Sequence, residues 1–414
     1  MPAPEARSLF AKRLGRMEGS AIRELLKNAG VPGMISLGGG YPSPESFPLD
    51  KIDFLRQQVR SRSDYTSKIL QYGPTEGLPD LLGVLPDYLN RENRQVKATP
   101  ENIAITAGSQ QALATLGMML INNPEDEVAV ESPTYLGALQ AFSPYQPRYV
   151  EIETDQDGII PAKLEQAFIE HPNIKFLYTI PTFQNPTGRT IPLERRQQIA
   201  DILKRHGKLA VEDDPYSELR YEGEPIPSIQ SMAPDNVIHL FTFSKTFFPD
   251  IRIGGMVAPK AYIEKANLIK QGQELYTSNY NQALIYEYIK GRFLEQHIPE
   301  IIELYRPKKE AMARAIIENF PDIFEFTVSK GGMFIWVKLK KEFEALAERI
   351  NIKDVLAESK KNKAAFVPGA PFFANATGNE VAMRLNFTNQ SEENIVKAIR
   401  IIGEILQRKL TEQV

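Results

Sequence analysis

Between residues 100 and 245 the sequence switches repeatedly between short β-branched runs and longer stretches with a helical period. Ile103-Ala-Ile-Thr106, Glu127-Val-Ala-Val-Glu131, Ile174-Lys-Phe-Leu-Tyr178, Lys208-Leu-Ala-Val-Glu212 and Val237-Ile-His-Leu-Phe241 read as strands. Gln110 to Ile121 and Leu193 to Arg205 read as helices between them. Runs this short and apolar lack the polar alternation of a strand with one wet face, so they belong in a sheet covered on both sides. Strands that alternate with helices pair mainly in parallel. The expected fold is α/β: a large domain with a mainly parallel sheet covered by helices, its ligands held at the carboxyl ends of the strands.

The last third changes character. A helical pattern runs from about Gln296 to Asn319, followed by strand-like runs at Phe324 to Val328 and Met333 to Leu339, joined near Gly331-Gly332. A short strand at Met383 to Phe387 and an amphipathic helix from Glu392 to Gln407 close the chain. This reads as a smaller α+β domain. The expected division is an N-terminal arm and helix over 1–45 that packs with the small domain, a large domain over 46–295, and the small domain over 296–414. The helix from Pro79 to Arg91 contains Gly83 and Pro86 and is expected to be kinked or broken.

Composition narrows the chemistry. There is no cysteine, which excludes disulfides, thiolate nucleophiles and thiolate metal sites. Four histidines, none paired at i, i+4, make a metal site unexpected. Lys plus Arg is 49 and Asp plus Glu is 52, too even a balance for a nucleic-acid footprint. No apolar stretch approaches the roughly 18 residues of a membrane span, so a cytoplasmic location is the default expectation.

What remains is lysine, carboxylate, amide, hydroxyl and arginine chemistry, and the candidates fall at strand ends. Ser244-Lys245 follows the strand ending at Phe241, with Thr242 just ahead and Arg252 seven residues on. A lone Ser-Lys is ordinarily a surface lysine. Two hydroxyls and an arginine beside it can make a phosphate cradle next to an amine nucleophile. Glu212-Asp213-Asp214-Pro215-Tyr216 closes another strand. Such a run is commonly a solvated turn, but one of its acids could pair with a protonated ring nitrogen. Asn185, in Gln184-Asn-Pro-Thr-Gly188, sits in a turn that needs no function to exist. Ala107-Gly-Ser-Gln-Gln111 opens a helix with Ser109 as an expected N-cap, and a helix start with free N–H groups binds phosphate. Arg384, inside the apolar strand Met383-Arg-Leu-Asn-Phe387, needs an acid, either from the protein or from a substrate carboxylate. Together these are the parts required by pyridoxal 5'-phosphate: a Schiff-base lysine, an acid for the pyridine nitrogen and a phosphate cradle.

Ser20-Ala-Ile-Arg-Glu-Leu-Leu26, Ile35-Ser-Leu-Gly-Gly-Gly40, Tyr72-Gly-Pro-Thr-Glu-Gly77, Asn185-Pro-Thr-Gly188, Glu212-Asp-Asp-Pro-Tyr216, Ser244-Lys-Thr246, Pro368-Gly369 and Arg384-Leu-Asn386 occur in a telling order and spacing. In them the chain resembles the class I and II aminotransferases of pyridoxal-phosphate fold type I. Within that family it is most similar to the subgroup of kynurenine/2-aminoadipate and broad-specificity aromatic or branched-chain enzymes. The resemblance runs from Phe10 to the last helix. It implies that Lys245 carries the cofactor as a Schiff base and shuttles the proton, that Asp213 holds the pyridine nitrogen, and that Tyr216 and Asn185 bond the ring hydroxyl oxygen. It further implies that Tyr135 stacks on the ring and that Ser109, Gln110, Thr242, Ser244 and Arg252 hold the phosphate. Tyr72 would reach the phosphate of a neighbouring subunit, making the active unit a homodimer. Arg384 would take the substrate carboxylate with Asn185 and the Gly40 backbone, and Arg23 would meet a distal carboxylate. Tyr41 and Phe10 would offer apolar surface to bulky side chains.

The implied activity is a two-step, ping-pong transfer of an amino group between an L-amino acid (2-aminoadipate, aromatic or branched-chain) and 2-oxoglutarate/glutamate. No metal, nucleic acid or membrane enters it. The motifs leave other fold type I chemistries open (β-lyase, racemase, decarboxylase). A non-catalytic sensor domain is a more remote alternative, since only about 10 residues precede the region of resemblance and the net charge is −3. Two departures stand out: Asp250, an acid close to the expected phosphate cradle, and Gly255, where the family often has a bulky residue.

Overall fold

In the computed structural model, which describes residues 10–11, 13–14, 32–91, 94–378 and 380–411, the apolar runs join one seven-stranded sheet. Its strands are β1 (Ile103–Thr106), β2 (Glu127–Glu131), β3 (Arg148–Ile152), β4 (Ile174–Thr179), β5 (Leu209–Asp214), β6 (Val237–Thr242) and β7 (Gly254–Val257). Their order is β1-β7-β6-β5-β4-β2-β3. All neighbours pair in parallel except β7, which runs antiparallel to both β1 and β6. Every residue of β1, β5, β6 and β7 is buried.

The burial follows from apolar residues on both faces of each strand. Val128, Val130, Phe176 and Tyr178 enter one core with Leu113 and Leu116 of the Ser109–Leu120 helix. The intervening Ala129 and Leu177 enter another, with Ile199 and Leu203 of the Leu193–His206 helix. Helices therefore cover both sides and leave the strand ends as the place for polar groups.

A second sheet is antiparallel throughout. It comprises β8 (Phe324–Phe326), β9 (Phe334–Leu339), β10 (Val367–Pro368) and β11 (Ala382–Asn386), in the order β8-β9-β11-β10. Near it, Ile35–Ser36 pairs in parallel with Ala364–Ala365. The Asn386 N–H donates to the Leu37 carbonyl at 2.7 Å, which brings Gly38 to Gly40 alongside the end of β11.

Two expectations are corrected. The helix holding Gly83 and Pro86 is not broken: it runs continuously from Pro79 to Leu89. Pro86 lies in its last turn, and the buried Leu81, Leu82, Leu85, Tyr88 and Leu89 hold the helix against the core despite the missing donor. Ser109 is not an N-cap: Gly108 takes that position with φ +77°, and Ser109 is the first helical residue. Among the described residues no helix is long and apolar enough to cross a membrane, and no cluster of three or more His, Asp or Glu side chains is placed to hold a metal ion.

Candidate active site

The carboxyl ends of β1, β5 and β6, the loop after β4 and the start of β7 meet β11 around a cavity of about 290 Å³. The reversed direction of β7 matters here. It puts Arg252, just ahead of Gly254, on the same sheet edge as Ser244 and Lys245. Gly108 admits the arginine: a Cβ there would lie 2.7 Å from Arg252 Nη2.

Of the residues singled out in the sequence, Gly40, Ser109, Gln110, Tyr135, Asn185 and Asp213 line this cavity. So do Tyr216, Thr242, Ser244, Lys245, Arg252 and Arg384. Tyr41 lines it as well, whereas Phe10 is exposed and does not. Tyr72 also stands apart from the cavity of its own chain, 76% exposed. Arg23 and the surrounding helix lie outside the described residues. Asp250 is exposed and absent from the lining, so no acid intrudes on the cradle. Gly255 cannot be bulky, since a Cβ would lie 2.7 Å from the Ala104 carbonyl and 2.6 Å from the Phe241 ring.

The three acids at the end of β5 separate by strand alternation. Glu212 accepts from the N–H groups of Ile229 and Gln230 at 3.0 and 2.9 Å. Asp214 bonds Arg94 at 2.9 Å, and although burial opposes it, Arg94 holds its carboxyl below the usual range. Asp213 between them faces the cavity. Tyr178 donates to its Oδ2 at 3.0 Å, while its buried Oδ1 has no hydrogen-bond partner. Burial pushes the Asp213 carboxyl up to about 6.

Lys245 Nζ donates to the Gly40 carbonyl at 2.9 Å. Burial, with Arg384 and Arg252 nearby, brings its ammonium down to about 8. Arg252 bonds the Ala107 carbonyl at 2.7 Å and Ser244 Oγ at 3.4 Å. Arg384, 1% exposed, reaches Asn185 Oδ1 and the Gly38 carbonyl, both at 2.8 Å, and lies 4.2 Å over the Phe334 ring. Burial lowers its guanidinium to about 10. Asn185 Nδ2 in turn reaches the Tyr216 hydroxyl at 3.4 Å.

The charged lining thus consists of three cations (Lys245, Arg252, Arg384) against one carboxylate, Asp213. None of the three cations forms an ion pair among the described residues. Such a cavity calls for an anionic guest, and for one with a basic nitrogen to meet the orphaned oxygen of Asp213. Residues 39–402 match the model of the family "Aminotransferase class I and II". The chain belongs to this family. It is 38% identical over 99% of its length, and 96% of the relative's, to an aromatic-amino-acid aminotransferase of Thermococcus litoralis. The fold matches the crystal structure of a Pyrococcus horikoshii kynurenine aminotransferase in complex with PMP, with TM-score 0.91 and 37% identity over 99% of both chains. An alpha-aminoadipate aminotransferase from Thermus thermophilus, complexed with N-(5'-phosphopyridoxyl)-L-leucine, matches with TM-score 0.88 and 33% identity, covering 99% of this chain and 100% of that one.

The protein is therefore an aminotransferase of fold type I, and its cofactor is pyridoxal phosphate. The residues present fit that group. The free Asp213 oxygen, the Ser109 hydroxyl and Arg252 without a carboxylate partner supply an acceptor and donors of the kinds a pyridinium phosphate requires. Sequence reasoning missed Tyr178, which it read only as a buried strand residue, and Ile180 and Phe334, which wall the cavity. Periodicity puts Tyr178 and Phe334 in strands, leaves Ile180 just past one, and says nothing of what they face.

Proposed function

We propose that this aminotransferase exchanges amino groups between glutamate/2-oxoglutarate and an L-amino acid of the 2-aminoadipate, aromatic or branched-chain type. It would do so in two half-reactions, as a homodimer with sites shared between subunits. The observation that carries this reading is one cavity holding three unpaired cations and a single carboxylate with a free oxygen. Its apolar wall of Tyr41, Tyr135, Ile180 and Phe334 suits a bulky side chain, and relatives are named for aromatic amino acids, kynurenine and alpha-aminoadipate. A chain division at 46–295 and 296–414, with 1–45 joined to the second part, belongs to the same reading. The pairing of Ile35–Ser36 with Ala364–Ala365 supports it.

In this mechanism Ser109, Gln110, Thr242, Ser244 and Arg252 hold the phosphate, with Tyr72 from a second copy. Asp213 accepts a hydrogen bond from the ring nitrogen, Tyr216 and Asn185 bond the ring oxygen, and Tyr135 packs against the ring. When bound, pyridoxal phosphate supplies a carbonyl carbon that exchanges amines and a ring that withdraws electrons from the substrate Cα. Arg384 grips the α-carboxylate through its planar fork, aided by Asn185 and the Gly40 backbone, and so fixes where the Cα–H bond points. Lys245 Nζ, as a free amine, would take the Cα proton. A base that loses its own proton near neutral pH suits this task. Arg23 would meet the distal carboxylate of glutamate or 2-aminoadipate.

A panel of amino donors assayed against 2-oxoglutarate tests the reading. Glutamate formation with 2-aminoadipate, aromatic or branched-chain donors is expected, together with loss of at least about a thousandfold in kcat for Lys245→Ala, a residue that would act as both nucleophile and base. Near wild-type transamination by Lys245→Ala, or no glutamate from any donor of these classes, refutes it.

A further inference from the structure

The helix Lys260–Gln273 ends near a buried charge that the cavity does not use. Lys270 is fully buried. Its Nζ donates to the Thr75 carbonyl at 2.7 Å and to the Ile105 carbonyl, while the Glu274 carboxylate stands 3.9 Å away. Enclosing an ammonium costs solvation free energy, and burial lowers this one to about 8. A neutral side chain would fill the same space without that cost. What the ammonium adds is a link between two backbone segments that meet nowhere in the local sequence.

Both segments lead to a cofactor cradle. Ile105 lies in β1, which delivers Ser109 and Gln110 to the cavity of its own chain. Thr75 lies in the segment carrying Tyr72, which is exposed and does not line that cavity. Two further buried side chains tie down the same segment. Asn279 Nδ2 donates to the carbonyls of Lys68 and Gln71, both at 3.0 Å, and Gln282 Oε1 accepts from Leu78 N–H at 2.6 Å. The Ile105 N–H adds a bond to the Glu76 carbonyl at 2.7 Å. The Tyr72 ring, largely exposed, packs edge-on against Tyr276 at 5.8 Å, in the turn that follows Lys270. A firmly anchored base thus presents one exposed tyrosine.

We propose that Lys270, together with Asn279, is a positioning residue for cofactor binding: it clamps residues 71–78 to the end of β1, so that Tyr72 stands at a fixed place for the phosphate cradle of a second copy. This rests on the reading that Tyr72 crosses to that copy. Two-fold symmetry returns the contact, so each cradle is held by β1 of one chain and by the clamped segment of the other.

The test is a titration of cofactor-depleted protein with pyridoxal phosphate, followed by absorbance, for wild type, Lys270→Met, Tyr72→Phe and the double variant. A thermal melt of each checks folding. Each single change is expected to weaken binding on the order of tenfold, the weight of one charge-assisted hydrogen bond. The double variant is expected to bind within about twofold of Tyr72→Phe alone, because the clamp acts through the Tyr72 hydroxyl. Equal losses from Lys270→Met with and without the Tyr72 hydroxyl, or unchanged affinity in folded Lys270→Met, overturn the clamp while leaving the crossing intact. Unchanged affinity in Tyr72→Phe overturns the crossing and the clamp with it. If Lys270→Met does not fold, Gly73→Ala takes its place. A Cβ there would collide with the Asn279 amide and displace the segment while Lys270 remains. Non-additivity with Tyr72→Phe supports the proposal, and additivity refutes it.

Discussion

Lys245 shows how far a local environment can move a common side chain. Its ammonium is disfavoured by burial first and then by the like charges of Arg384 and Arg252. All three effects favour the free amine, so the pKa falls from the ordinary lysine range to about 8. An ordinary lysine near 10.4 exposes roughly one free amine in 250 at pH 8, whereas this one exposes about half. In cofactor-free protein, acylation of Lys245 should therefore rise with pH and level off above about 8, the pKa set by its surroundings. Peptide mapping of the modified residue across a pH series measures this. A rate still climbing steeply beyond about pH 10, where unperturbed lysines titrate, shows that the surroundings do not tune the amine.

At the scale of elements, the loop after β4 depends on a residue far from any chemistry. Arg196, 1% exposed, sits in the helix Leu193–His206 and makes no ion pair among the described residues. Its guanidinium bonds the carbonyls of Pro181 and Ile191 at 2.9 Å, with Pro227 at 2.9 Å and Thr182 Oγ1 at 2.7 Å. Pro181 and Ile191 bracket the turn that carries Asn185. Arg196→Met removes all four bonds, and although the Pro181 carbonyl keeps the Ile191 N–H at 2.8 Å, the loss should cost about 3 kcal/mol. Urea denaturation checks it, and a loss under about 0.5 kcal/mol, the range of a neutral surface change, rules out the role. The sequence made the central parallel strands legible because both faces of each are apolar. It did not show β3, whose Arg148 and Glu151 suit an edge strand, or β7, which opens on two glycines that read as a turn. Packing dictates those glycines, since Gly254 lies against the Phe241 carbonyl and Gly255 against its ring. The catalytic candidates were legible as motifs at strand ends. Tyr178 was not, because its hydroxyl finds Asp213 only through the pairing of β4 with β5.

At the scale of the whole molecule, a chain of net charge −3 concentrates positive charge in one cavity built from both sheets. The exposed Tyr72 is the one cradle candidate that this cavity lacks. If sites are shared, two crippled subunits can rescue each other. Pairing a Tyr72→Ala chain with a Lys245→Ala chain places the intact Lys245 of the first beside the intact Tyr72 of the second. One of the two sites in such a hybrid is then complete, and the other lacks both residues. Random reassociation of equal amounts makes half the dimers hybrid, so the mixture should regain about one quarter of wild-type activity at limiting cofactor. If Tyr72 served its own chain, every hybrid site would lack one of the two residues. The mixture would then show no more than the average of the two parent variants. Assaying the mixture before and after subunit exchange separates the outcomes, because only a shared site gains activity as the subunits exchange.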